Sequence, residues 1–368
     1  MDFYVFDDAY NQLGLLSKPV SVTYTEKYKE LGTFEVVLPI NEENRILAKE
    51  ENVIVFDRDR KIAGVVGIVT STITSTGSPQ LVVKGKFVAQ YVYRRIVWGQ
   101  FEMTGTPEQI ITSLLNTQVL TPSDPSRKIP DLVMGASQLA DQEQLSVQYS
   151  GDNLGTCIEA VCSTNPIGFR VSYEQIQKQM SFILYTGADR TDKQRVVPPV
   201  VFSAEYENIL DSEYSVNAQD ASNVAWVVGA KPVEGTQQSV TVGSVSGKAR
   251  KEYYVNASSV RDQDSEGNPI PESQYREMLT QEGKEKLDSR KVAQSFECTI
   301  NTLGNVQYNV DFFLGDKVTV RDQTVGIELD ATISEVQHVI NQYGSEQLYI
   351  TFGFGPVTLT KRLRERGM

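Results

Sequence analysis

The sequence of 368 residues holds one histidine, His338, and three cysteines. A Ser–His–Asp or Cys–His relay needs a histidine, and zinc needs several Cys or His ligands, so both chemistries compete for one side chain. That side chain falls on a strand predicted from Asp330, which gives it a structural or surface role. Three cysteines cannot complete a disulfide framework. Cys157 and Cys162 lie on one predicted helix about 140° apart around its axis. They cannot chelate one ion, and with Cys298 they read as small hydrophobes.

Long apolar runs are missing too. No stretch approaches the roughly 20 apolar residues of a membrane helix, so no stable membrane insertion is expected. The N-terminal residues 1–8 have no basic region ahead of an apolar one, unlike a secretory signal. A basic excess is also lacking: 47 acidic residues face 35 Lys and Arg, for a formal charge of −12. This argues against the basic footprint of a nucleic-acid binder. It permits a conduit that a polyanion crosses without sticking, and does not by itself establish one.

What is present is the signature of strands in a folded protein, with 40% apolar residues, 17 Tyr and 14 Phe. Residues 21–25, 33–39, 52–56, 62–74 and 81–83 read as short strands separated by Gly, Pro and charged turns, the pattern of a small antiparallel barrel. The pattern then changes. Thr106-Pro107-Glu108-Gln109 is a capping box ahead of the stripe Ile110, Ile111, Leu114, Leu115. A second helix runs from about Asp152 to Asn165-Pro166, followed by strands over 169–173 and 180–185. Strand signals return at 212–216, 223–229 and 239–242. A charged helix over 274–290, with sparse apolar positions, is expected to lie on the surface. The last strands fall at 296–300, 317–321, 330–338 and 346–352, and the basic cluster 361–366 is expected to fray.

The chain repeats itself. Residues 52–57 match 317–322; each segment continues through a glycine, Gly64 or Gly326, into a long strand, Ile68 onward or Ile333 onward. A turn glycine follows, Gly77 or Gly344, then Leu81 or Leu348 four residues on. Upstream, Tyr24 leads to Phe34 and Val36 as Tyr214 leads to Val224 and Trp226. Two similar barrels per chain could make six in a cyclic trimer and so stack on a six-fold tube.

On these residues the sequence resembles the tail hub proteins of tailed phages, the siphovirus tail-tip type, similar in architecture to the central hub of contractile baseplates. The likeness lies in residues 31–36, 206–210 leading into 223–229, 314–320, 333–336 and 351–353, an order spanning nearly the whole chain. The resemblance implies a homotrimer located at the tail tip of the virion. It would join the tail tube, through a distal tail ring protein, to tip, baseplate and receptor-binding proteins. Two barrels per chain would surround a channel for the tape measure protein and for DNA that passes without specific binding. Ending at Met368, the chain resembles the short form, for which hydrolase or receptor-binding extensions are not implied.

The remaining motifs are near misses. Residues 262–267 resemble the start of a calcium loop, but Ser273 holds the twelfth position and Pro269 and Pro271 interrupt it. Gly243–Lys248 is one residue short of a phosphate loop, and Ala249 replaces its Ser or Thr; a hairpin turn is expected. No cofactor or metal site and no catalytic constellation stands out. The expected fold is mainly β with α+β parts. It has a tube-type antiparallel barrel over 1–97, an α/β domain over 98–200, a second barrel over 201–247 and 293–368, and a helical insertion over 248–292. Val53, Val55, Phe56, Val318 and Val320, with the long hairpins after them, are the expected ring contacts. Two other functions compete with a non-enzymatic hub. One is a cell-wall-degrading enzyme using an Asp/Glu pair; the other is a carbohydrate-binding adhesin, which an exposed aromatic platform would favour.

Overall fold

The computed structural model describes residues 3–353 apart from 17, 58–60, 74–78, 141, 232–235, 265 and 324–325. The expected fraying of 361–366 and the turn at Gly77 lie outside the described residues. The chain opens with Tyr4–Phe6 (β1), Gln12–Leu15 (β2), Ser21–Lys27 (β3), Thr33–Pro39 (β4), Val53–Asp57 (β5), Ile62–Ile73 (β6) and Pro79–Phe87 (β7). In β4, Phe34, Val36 and Leu38 are buried while Thr33, Glu35 and Val37 are not, the period of a strand with one wet face. A short helix between β4 and β5, Glu42–Leu47 (α1), is absent from the sequence reading. Its signal is Asn41, whose side chain caps the helix, followed by Glu42 and Glu43 in the first turn.

The middle of the chain holds Gln90–Tyr93 (α2), Gln100–Gly105 (β8), Pro107–Leu115 (α3), Leu132–Met134 (β9), Leu145–Ser150 (β10), Leu154–Ser163 (α4), Gly168–Glu174 (β11) and Gln179–Tyr185 (β12). The capping box forms as expected: Thr106 Oγ1 accepts from the Gln109 amide, and Gln109 Oε1 accepts from the Thr106 amide. Ile110, Leu114, Ile158 and Val161 then bury their stripe in one core with Phe6, Val53, Val55 and Val65. Cys157 and Cys162 are buried on α4.

The rest comprises Asp189–Arg190 (β13), Val201–Ser203 (β14), Ile209–Asn217 (β15), Val224–Gly229 (β16), Ser239–Val242 (β17), Glu252–Ala257 (β18), Glu272–Asp288 (α5), Ala293–Ile300 (β19), Lys317–Asp322 (β20), Ile327–Asn341 (β21) and Glu346–Phe352 (β22). The charged helix is not surface-lying. Tyr275, Met278 and Leu279 pack on the small sheet β17-β16-β18, and Glu277 and Glu285 reach Ser146 and Tyr149 of β10 on the other side. Polar residues serve one of its packed faces, which an apolar count misses. The segment after Gly243 is not a hairpin turn either, because β16 lies between β17 and β18.

Strands hold 44% of the described residues and helices 18%, so the fold is mainly β. One large sheet runs β15-β19-β22-β21-β3-β4-β7-β6-β5-β1-β2, with β20 on β21 beside β13 and β14. The repeat is visible in this order. The run β15-β19-β22-β21 of the second copy is followed by β3-β4-β7-β6 of the first. Both long strands carry an irregularity at the same place, between Val66 and Ile68 and between Ile333 and Glu335. Aligning these shifts the sequence match: Ile68 corresponds to Glu335, not Ile333, whereas Leu81 and Leu348 remain equivalent. Tyr24 and Tyr214 also remain equivalent, facing Phe34 and Phe296. Val224 and Trp226, expected as the counterparts of Phe34 and Val36, instead sit in the small sheet.

Separate small barrels are not seen. Among the described strands neither copy closes on itself, because β3, the first strand of one copy, pairs with β21, the last strand of the other, from Glu335↔Lys27 to Asn341↔Ser21.

Candidate assembly surface

The five residues expected at ring contacts lie inside the protomer. Val53, Val55, Phe56, Val318 and Val320 are each at most 2% exposed. Strand β5 is flanked by β1 and β6, and β20 by β21 and the pair β13 and β14. Val53 and Val55 join the core under α3 and α4, Phe56 a second core and the other two a third, so the structure does not bring the five together. The long hairpins after them are where apolar side chains reach the surface: Ile68 is 57% and Ile73 77% exposed.

The joint between the copies is tightly built on its inner face. His338 of β21 stacks on Tyr24 of β3, with ring centroids 4.2 Å apart and planes 7° apart. Its Nε2 lies 3.0 Å from Glu26 Oε1 and its Nδ1 2.6 Å from Glu346 Oε1. Both ring nitrogens face carboxylate oxygens, an arrangement that favours the cationic imidazole, in which both nitrogens donate. Burial alone would push its pKa down; the hydrogen bonds and charges of Glu26 and Glu346 outweigh that and hold it above the ordinary value. Tyr308 Oη also donates to Glu26, 3.3 Å away. The lone histidine therefore ties three strands, a role that strand periodicity cannot reveal.

The outer face of the same joint is polar. Register places Lys84, Glu35, Thr23 and Val339 in one row across β7, β4, β3 and β21. The next row runs Lys86, Thr33, Thr25, Gln337, Tyr349, Thr299 and Asp211, and a third Lys27, Glu335, Thr351, Glu297 and Glu213. Carboxylates outnumber lysines here: Glu35, Asp211, Glu213, Glu297 and Glu335 against Lys27, Lys84 and Lys86. Lys84 pairs with Glu35 at 2.6 Å, and Lys27 with Glu335 at 3.6 Å. The face crosses from one copy to the other without a break.

Two further contacts fix the neighbouring parts. Tyr28, 2% exposed, donates to the Pro166 carbonyl at 2.9 Å and receives the Gly187 amide at 3.4 Å. Its ring fills space that only glycine leaves, since a Cβ on Gly168 or Gly315 would come within 2.1 or 2.5 Å of it. Tyr28 thus pins both copies and the middle segment. On α5, Glu285 accepts from Tyr149 Oη and Gln281 Nε2, each at 3.1 Å. Burial, helped by the charge of Glu282, pushes its carboxyl up to about 7.

Trp226 and Tyr254 stand side by side on the open face of the small sheet, 55% and 54% exposed, with their planes at 62°. Among the described residues no three His, Cys, Asp or Glu side chains converge as a metal site, and no helix is long and apolar enough to cross a membrane.

Comparison with known proteins matches this geometry. A family model described as Siphovirus ReqiPepy6 Gp37-like protein matches residues 2–354. The fold is similar to that of a tail protein of Neisseria meningitidis MC58, at TM-score 0.55 and 12% identity, covering 96% of each chain. Prophage tail protein gp18 of Listeria monocytogenes EGD-e gives TM-score 0.53 and 11% identity over 100% of this chain and 98% of that one. The 43 kDa tail protein of prophage MuSo2 from Shewanella oneidensis gives 0.55 and 11% over 95% and 97%. Among curated proteins no sequence matches.

Proposed function

Because the chain belongs to the family of Siphovirus ReqiPepy6 Gp37-like proteins and its fold is similar to that of phage tail proteins, we propose that it is a structural protein of phage-tail type and forms the hub of the tail tip. In this reading three copies close a ring on the end of the tail tube. The ring contacts a distal tail ring protein on one side and tip, baseplate or receptor-binding proteins on the other. The tape measure protein and DNA pass through its opening.

The observation that carries this is the joint between the two copies. Each protomer already sets two like four-stranded units edge to edge in one sheet, with a continuous polar face on one side and the cores on the other. Three protomers repeat that arrangement six times, matching a six-fold tube. The acidic balance of the polar face suits a lining past which a polyanion slides without binding. The hub is a positioning device and performs no bond-making chemistry. Val53, Val55, Phe56, Val318 and Val320 pack inside the protomer and support the sheet, and the contacts are made by strand edges that the protomer leaves uncovered.

The exposed pair Trp226 and Tyr254 favours a second role, contact of the small sheet with a carbohydrate on the cell surface. Retention of purified chain on cell-wall polysaccharide, lost in Trp226→Ala, would support it.

The hub is tested by the mass of the purified 41.0 kDa chain in solution, by imaging of the main species, and by its copy number in assembled tails. Three protomers around an opening, and three copies per tail, are expected. A copy number equal to that of the tube protein, or a compact monomer absent from tails, overturns the reading.

A further inference from the structure

The structure contains one complete joint between repeat units and the two halves of another. Within the chain, the distal half of β21 is covered by β3. Among the described strands of the first copy, β6 pairs with β5 only over residues 62–65, and from Ile68 to Ile73 it pairs with β7 alone. At the other end of the sheet β15, the counterpart of β3, pairs with β19 and is the last described strand of the ladder. We propose that β15 of a second copy of this chain lies along the distal half of β6, in the register that β3 holds on β21.

Exposure supports this position by position. Ile340 of β21 is 3% exposed, and its counterpart Ile73 is 77% exposed. Tyr24 of β3 is 2% exposed, and its counterpart Tyr214 is 36% exposed. Val216, which corresponds to the buried Glu26, is 52% exposed. The same positions are covered in the copy that has a neighbour and open in the copy that lacks one. Long unpaired edges bearing Ile, Tyr and Val invite pairing with another chain. Transferring the register of the internal joint sets Val69 opposite Val216, Thr70 opposite Ser215, Ser71 opposite Tyr214 and Ile73 opposite Ser212. Tyr214, Val216 and Ile73 then turn inward, as Tyr24, Glu26 and Ile340 do. Because β6 and β15 are different surfaces, the contact is head-to-tail and propagates until it closes as a ring.

This inference rests on the ring reading and adds which strands meet and how. Its test uses the full chain carrying Thr70→Cys and Ser215→Cys, two mild changes on the outer face. The two positions are seven strand steps apart within one protomer, about 34 Å, so an intrachain disulfide cannot form. Under mild oxidation the double variant should give covalent dimers and a closed trimer on non-reducing gels. Either single variant should give neither, and Thr72→Cys with Ser215→Cys, two residues out of register, should link far less. A ring that is intact by mass and imaging, yet links no better through 70 and 215 than through 72 and 215, overturns the register and leaves the hub standing. A chain that stays single at every concentration and in tails removes both.

Discussion

Replacing His338 by Phe isolates the ionic part of the joint between the copies. Phenylalanine keeps a ring of similar size against Tyr24 and deletes the donors to Glu26 and Glu346. The Glu346 side chain is 39% exposed and can turn to water, so its loss costs little. Glu26 is 11% exposed and keeps the donor from Tyr308. Losing one member of a buried pair costs about 3–5 kcal/mol, and a hydrogen bond that persists favours the lower end, about 3 kcal/mol. The pH dependence gives a second signature. The pKa of His338 is raised in the folded chain. Its contribution is therefore complete below the unfolded value of about 6.5 and is lost as pH rises through the folded value. Urea unfolding at pH 6 and pH 9 should show the gap between wild type and His338→Phe narrowing at the higher pH. A gap under about 1 kcal/mol at pH 6, or one that does not change with pH, would refute the assignment of a cationic tie.

Glu285 gives a separate window. Its pKa is raised from 4.5 to about 7, so stability falls as pH climbs between these values, and Glu285→Gln should gain about 2–3 kcal/mol at pH 8 and nothing at pH 4. Equal urea midpoints at pH 8 would show that the carboxylate is not desolvated there. Tyr28→Ala should cost about 3–5 kcal/mol and Tyr28→Phe about 1–2 kcal/mol, the latter for leaving the Pro166 carbonyl and Gly187 amide without the hydroxyl. If the two variants unfold alike, the ring does not pin the three segments. Trp226→Ala should change stability by no more than about 0.5 kcal/mol because the indole lies on an open face. A larger loss would mean that the small sheet depends on it.

Much of the strand pattern was legible because one face of each strand is buried: the alternation in residues 21–25 and 33–39 maps directly onto β3 and β4. The repeat was legible through Tyr24 and Tyr214 and through Leu81 and Leu348, where both copies carry the same residue type at equivalent positions. It slipped at Ile68 because an irregularity in a strand shifts register without leaving a mark in composition. Phe296 was passed over as the partner of Tyr214 because Val224 stands at the right distance in sequence, while the true partner lies beyond the small sheet and α5. The five residues expected at ring contacts are buried within the protomer, and the contact proposed above lies one strand further on. Val53 and Val318 lie in short apolar runs, and such runs mark interior strands as readily as surfaces. The exposed edges belong to polar-looking stretches such as 68–73 and 209–217. What makes them edges is the absence of a neighbour, which no local pattern records.

The small sheet and α5 leave the large sheet at Asn217 and return at Ala293, and these two residues face each other across β15 and β19. In the first copy the same connection is the short turn between Lys27 and Thr33. A segment whose ends are about 5 Å apart can be lengthened, exchanged or removed with little effect on the ladder it interrupts. The ladder between β15 and β19 therefore sets no requirement on the length or content of the module hung on this one hairpin position.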